Sequence, residues 1–150
     1  MVQREVAERM VAEPGTTDYG LLSVTCRYYA QPELLFTIPP SAFRQPPQVD
    51  SALVRMAVAP QKAALGIQDE EQFWKWMRAA FAQKRKTLVN NWKSWCDAEK
   101  LRAVMEEQGI DPRARAESLS LEQLAELWNA VISGKQSEPR ARASGGDSEG

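Results

Sequence analysis

The chain has 150 residues, 43% of them hydrophobic, and a formal net charge of −1, a composition typical of a soluble globular protein. It contains no histidine, so Ser-His-Asp and Cys-His catalysis are excluded, and without the commonest metal ligand we expect no metal site. No apolar run approaches the roughly 20 residues that cross a bilayer, and the charged amino terminus does not resemble a signal peptide. We therefore expect a cytoplasmic protein with no membrane partner, and two widely separated cysteines fit a reducing compartment.

The first thirty residues predict a helix and then a strand. Residues 4–12 have the helical period, and Glu5 and Arg9 are complementary charges at one-turn spacing. Apolar and polar residues then alternate over 22–28, which predicts a strand with Leu22 on its apolar face and Ser23 on its polar face.

Two further strands are predicted over 34–38 and 51–58. The loop between them has four prolines within 39–47, so it is extended and stiff. Such a loop can hold an aromatic side chain, here Phe43, in a fixed position.

After residue 60 the helical period replaces the strand period. Apolar stripes predict helices over 70–89, 97–108 and 121–134, so 61–134 forms a small helical module. Asp69 with Gln72 and Ser120 with Gln123 are cap signatures for the first and third helices, and Gly109 ends the second. The last segment, 135–150, has almost no apolar side chains, and we expect it to be disordered.

Positive charge is concentrated in residues 78–102, which hold seven Lys or Arg against Asp97 and Glu99. The excess indicates an anionic partner, although long basic side chains that merely solvate one helix face would give the same pattern. The seven residues are Arg78, Lys84, Arg85, Lys86, Lys93, Lys100 and Arg102.

Four segments, in order, resemble the KsgA family of rRNA adenine dimethyltransferases. They read MVQREVAER from Met1, YGLLSV from Tyr19, IPPSAFRQPPQVDSALVR from Ile38 and AFAQKRKTLVNN from Ala80. Gln48 departs from the pattern, because a lysine is usual there.

The resemblance implies an α/β plus α fold: residues 1–60 as the carboxyl-terminal remnant of a Rossmann-like methyltransferase sheet, 61–134 as a helical RNA-binding domain. Full members use S-adenosylmethionine to dimethylate two adjacent adenines of small-subunit rRNA during ribosome biogenesis, with the immature small ribosomal subunit as partner. Their glycine-rich cofactor turn and Asn-Leu-Pro-Tyr motif do not occur here. We therefore expect a fragment that has no catalytic residue, binds no cofactor and is inactive alone.

The resemblance also makes Phe43 one wall of the pocket for the flipped adenine; without the family, Phe43 reads as a core residue that anchors the loop. Arg44 is interpreted as a phosphate contact or a solvated loop residue. The predicted RNA-binding residues are Arg44, Arg78, Lys84, Arg85, Lys86, Asn90, Asn91 and Lys93, with the consecutive basic residues fanned around a helix and the two asparagines also readable as a helix end.

Two alternatives remain open. Residues 61–134 could act alone as an rRNA-binding module, or the chain could belong to a related enzyme that methylates large-subunit rRNA and confers macrolide resistance. The sequence of residues 84–91 favours the small-subunit enzyme.

We expect Trp76 and Trp128, on apolar helical faces, to pack in the core instead of stacking on bases.

Overall fold

The computed structural model describes the backbone of residues 1–142 and the side chains of residues 1–133. The chain divides into two compact units: Met1–Ala64 with Glu117–Leu121, and Leu65–Ala116 with the residues from Glu122 onward. The predicted boundary at residue 60 lies near the end of the first range. The return of 117–121 to the first unit has no signal in the sequence.

The first unit contains three strands and two helices. The elements are β1 (Val2–Gln3), α1 (Arg4–Val11), α2 (Leu21–Tyr29), β2 (Ala30–Ile38), a 3₁₀ turn (Pro40–Ala42) and β3 (Ser51–Val58). The strands form one antiparallel sheet in the order β1-β3-β2, with Val2 opposite Ala52 and with β2 and β3 paired along their length around a bulge near Leu34.

The strand predicted over 22–28 is wrong, because this segment is helix α2. Ser23, assigned to a solvent face by the alternation, is fully buried, and its hydroxyl donates to the carbonyl of Arg9 and accepts from the N–H of Gly20 (3.2 Å). Leu22, assigned to the apolar face, is 39% exposed. A buried serine with satisfied hydrogen bonds breaks the simple rule that polar residues face water.

Segment 117–121 is held in the first unit by two hydrogen bonds. The Tyr19 hydroxyl donates to the carbonyl of Leu119 at 2.7 Å, and the N–H of Gly15 donates to the carbonyl of Glu117 at 2.8 Å. Gly15 has φ +88°, a left-handed conformation that glycine adopts without steric cost. Both bonds fix the turn between α1 and α2.

The second unit is helical. Asp69, Thr87 and Asp97 each accept a backbone N–H from the first turn of the helix that follows, as predicted for Asp69. Beyond α3 (Lys62–Leu65), the helices are α4 (Glu70–Ala80), α5 (Leu88–Trp92), α6 (Ala98–Glu107) and α7 (Leu121–Arg142), with a second 3₁₀ turn at Ala116–Ser118.

The single helix predicted over 70–89 is also wrong, since α4 ends at Ala80 and α5 begins only at Leu88. Thr87 caps the new helix, and the segment 81–87 between the two forms turns. Leu88 is buried, as it would be on a continuous helix, so the apolar spacing in the sequence continues across the break and does not reveal it. At the other end α7 continues to Arg142, into the segment predicted to be disordered, and 143–150 lies outside the described residues.

Aromatic side chains form the centre of the second unit. Trp92 is fully buried, its indole Nε1 donates to the carbonyl of Trp76 at 2.9 Å, and the two rings meet edge to face at 5.0 Å. Phe73 and Trp128 meet in the same way at 5.4 Å. The prediction that Trp76 and Trp128 pack in the core is confirmed, since both are at most 3% exposed.

The helical structure of α2 predicts losses of stability of different size for substitutions at two neighbouring residues. Ser23→Ala removes the partner of two backbone groups inside the unit and should lower the free energy of unfolding by about 1–3 kcal/mol. Leu22→Ala, at a site open to solvent, should cost clearly less. Urea unfolding of both variants, followed by circular dichroism, measures the two losses of unfolding free energy. A larger loss for Leu22→Ala than for Ser23→Ala would support the predicted strand instead of the helix.

Candidate nucleic-acid interface

The three consecutive basic residues lie on the turn between α4 and α5. We call residues 81–87 the basic turn; its Lys84, Arg85 and Lys86 are all exposed. The prediction that they fan around a helix is wrong, because the helix ends before them. The turn has the consequence that all three cations face solvent, whereas a packed helix would bury part of such a run.

The basic turn is tied down by α5. The Asn91 side-chain amide donates to the carbonyl of Ala80 at 2.9 Å and to that of Gln83 at 3.2 Å. Within the turn, the N–H of Lys86 donates to the carbonyl of Gln83 (3.0 Å), and the Thr87 hydroxyl accepts from the N–H of Asn90 (3.2 Å). The chain that carries the cations therefore has a defined shape.

A groove of about 340 Å³ lies beside the basic turn. It brings together four residues predicted from the sequence, namely Lys86, Asn90, Asn91 and Lys93. Arg78, Lys84 and Arg85 do not line it. Its other walls are Ala79, Ala82, Gln83, Ser94 and Trp95.

Trp95 is a groove residue that the sequence did not distinguish from the other four tryptophans. Its backbone N–H donates to the carbonyl of Trp92 at 2.8 Å, and its ring meets that of Trp76 at 5.5 Å with an interplanar angle of 61°. The side chain is half-buried, so it joins the aromatic core to the groove. The only sign of Trp95 in the sequence is its closeness to Trp92, and that spacing does not show which of the two is exposed.

Other cations of the second unit differ in how far their charge is offset. Arg78 lies exposed in the last turn of α4. Arg102 donates to the carboxylate of Glu99 at 2.7 Å, an exposed pair on α6 that offsets part of its charge. The basic turn and Lys93 are thus the part of 78–102 best suited to an external anion.

The loop that carries Phe43 belongs to the first unit. Phe43 follows the 3₁₀ turn, donates its N–H to the carbonyl of Pro40 at 3.1 Å and is half-buried, so it is not a fully packed core residue. Arg44 beside it is exposed. The structure places these two residues on one loop, as expected.

The far end of this loop is anchored by Asp50, a residue that the sequence did not mark. Its carboxylate accepts from the Arg4 guanidinium and its carbonyl accepts from the Arg4 N–H, at 3.2 and 2.9 Å. Arg4 also donates to Glu8 at 3.2 Å. Hydrogen bonds to Glu8 first, and then to Asp50, raise the pKa of Arg4 above its ordinary value.

The described residues offer little else for chemistry. Burial raises the pKa of the Cys26 thiol, which disfavours its reactive thiolate form. In residues 1–133, no group of three or more His, Cys, Asp or Glu could hold a metal ion. None of the helices in the described part of the chain has the length and apolar character of a membrane span.

Sequence comparisons link both units to rRNA methyltransferases. The model of the family "Ribosomal RNA adenine dimethylase" matches residues 1–133. Ribosomal RNA small subunit methyltransferase A of Koribacter versatilis is 46% identical over 134 residues, 89% of this chain and 47% of that protein. The protein of the same name from Bacillus mycoides is 43% identical over 137 residues, 88% of this chain and 47% of that protein. The chain spans about half the length of these curated relatives.

Two solved structures share the fold. A dimethyladenosine transferase from Plasmodium falciparum has a TM-score of 0.71 at 21% identity, over 89% of this chain and 56% of that one. The 23S rRNA methyltransferase ErmE has a TM-score of 0.58 at 19% identity, over 87% and 52%. These likenesses confirm the predicted fold class. Because the family model matches nearly all of the described residues, from the first strand into α7, the chain belongs to the ribosomal RNA adenine dimethylase family.

Proposed function

We propose that this chain is the RNA-holding part of an enzyme that dimethylates two adjacent adenines of small-subunit rRNA with S-adenosylmethionine. Its partner is the immature small ribosomal subunit in the cytoplasm. The observation that carries the proposal is the basic turn, which presents Lys84, Arg85 and Lys86 to solvent on a backbone of fixed shape beside Lys93.

These cations suit the phosphate backbone of RNA. Binding of a phosphate releases condensed counterions, so a cluster of exposed Lys and Arg contributes affinity that depends on salt and little on sequence. The groove adds Asn90 and Lys93, whose polar groups can reach a sugar or a phosphate next to the turn. Arg78 extends the positive surface along α4.

Phe43 is proposed to form one wall of the target-adenine pocket. An extruded base needs a flat apolar surface to replace the stacking that it loses. The half-buried ring sits on a loop whose ends are fixed by the 3₁₀ turn and by Asp50, so its position is held without full packing. Exposed Arg44 could hold the phosphate beside that base.

The described residues of this chain do not fit S-adenosylmethionine. Neither connection that leads from a strand into a helix, β1 to α1 or β3 to α3, contains a glycine, whereas Rossmann-like folds hold their cofactor against a glycine-rich turn after a strand. The proposal therefore assigns the cofactor site to the part of the relatives that the chain does not span.

The comparisons also bear on the alternatives. The relatives from Koribacter and Bacillus are small-subunit methyltransferases, whereas the likeness to a 23S rRNA methyltransferase is one of fold. A stand-alone helical module is not favoured either, because the family match includes the first unit with its proline-rich loop.

The phosphate role predicts a specific salt dependence. Replacing Lys84, Arg85 and Lys86 together with glutamine should flatten the slope of log affinity against log salt, by about 0.7–0.9 for each phosphate that is no longer neutralised. Affinity for a stem–loop from the end of small-subunit rRNA, and for an unrelated RNA, should fall in parallel and most at low salt. Fluorescence anisotropy over a salt series provides the measurement.

A matched control removes the same charge elsewhere. Lys62, Lys75 and Arg113 are exposed and lie outside the groove, so their triple glutamine variant should keep most of the wild-type slope. Equal slopes for the two triple variants would show that the basic turn contributes only net charge.

The pocket role of Phe43 is tested in a protein that joins this chain to the amino-terminal half of its 46% identical relative. Phe43→Leu keeps an apolar side chain but removes the aromatic face, and turnover should fall by about 5- to 150-fold if 1–3 kcal/mol of stacking is removed. Phe43→Tyr keeps the ring and should retain most turnover. A Phe43→Leu protein that melts at lower temperature yet turns over normally per folded molecule would make Phe43 a packing residue.

A further inference from the structure

We infer that Asn91 is a positioning residue for the basic turn, and that its carboxamide acts on RNA binding only through the turn. The inference rests on the proposed function of Lys84, Arg85 and Lys86. It differs from the expectation that Asn91 contacts sugar or phosphate directly.

The hydrogen bonds of Asn91 connect helix α5 to the end of α4 and to the basic turn. One donor reaches the carbonyl of Ala80, the last residue of α4, where helical carbonyls lack intrahelical partners. The other reaches Gln83 in the middle of the turn, whose carbonyl also accepts the N–H of Lys86. A single side chain thus fastens the turn immediately before the basic triplet.

The donor itself is fixed, because α5 is anchored on its other side. Leu88 and Trp92 are fully buried, and the Trp92 indole is hydrogen-bonded to Trp76 on α4. Asn91 therefore extends from an anchored helix to a turn whose residues Lys84 to Lys86 are exposed. Without these two side-chain bonds, the turn would keep its backbone bonds from Phe81 and Ala82 to α4 and from Lys86 to Gln83.

The same bonds leave Asn91 no side-chain donor for an RNA phosphate. A primary amide has two donor hydrogens, and both of those on Asn91 are used within the chain. Asn90 is different, because its side chain is exposed and it is its backbone N–H that donates to the Thr87 hydroxyl. Both asparagines line the groove, but only Asn91 uses its side-chain donors to hold the turn.

The test is a double-mutant cycle with RNA affinity as the readout. Asn91→Ala is made in the 150-residue chain and in the chain with Lys84, Arg85 and Lys86 changed to glutamine, and the probe is a stem–loop from the end of small-subunit rRNA. A residue that acts through the turn should weaken binding by roughly 3- to 10-fold in the first background and hardly at all in the second. A loss of equal size in both backgrounds would mean that Asn91 contacts RNA itself, or acts through general destabilisation, and would overturn the inference.

Hydrogen exchange separates this inference from the proposed function. Asn91→Ala should speed exchange of the amides in 82–87 while those of α6 keep wild-type protection, which also shows that the chain is folded. Asn91→Asp keeps the shape but places a carboxylate against two carbonyl oxygens, so it should have the same effect or a larger one. Unchanged exchange in the turn would overturn the inference.

If the triple glutamine variant binds RNA as tightly as the unaltered chain, the proposed function of the turn fails. The exchange result alone then decides whether Asn91 holds the turn in place.

Discussion

The buried hydrogen bond from the Trp92 indole to the carbonyl of Trp76 is the constraint on which the second unit depends. It places a short helix of five residues, α5, against α4 although the connecting segment is not helical. A helix this short is marginal by itself, so its order comes from tertiary contacts and from the Thr87 cap. Once α5 is fixed, the turn that precedes it has only a limited choice of paths.

The basic turn shows why this constraint matters for function. Three adjacent cations repel one another, and long side chains lose entropy when they are held, so an unstructured loop would present them at varying distances. A fixed backbone leaves only the side chains to be ordered on binding, which reduces the cost of contacting an RNA backbone. The first unit uses a related device, since prolines and the Arg4–Asp50 pair hold the loop that carries Phe43.

Much of the organisation could be predicted from the sequence, and the failures have physical causes. Strand β3 and helix α6 are predicted almost to their observed bounds, because the alternation over 51–58 and an apolar spacing that Gly109 ends are local signals. Helix α2 is missed because a buried Ser23 with two partners looks polar in sequence. The break after Ala80 is missed because Leu88 continues the apolar spacing. The prolines predicted the loop and the local charge excess predicted the basic residues, but only the structure shows that Asn91 uses its donors inside the chain.

The central claim is that RNA meets this chain at the basic turn and the groove beside it. Photocross-linking of the chain to the small-subunit rRNA stem–loop, followed by peptide mass spectrometry, tests that claim directly. We expect adducts concentrated between Gln83 and Trp95, the range that contains the three cations of the turn and most of the groove. Adducts spread evenly over the surface, or concentrated outside residues 78–95 and the Phe43 loop, would contradict it.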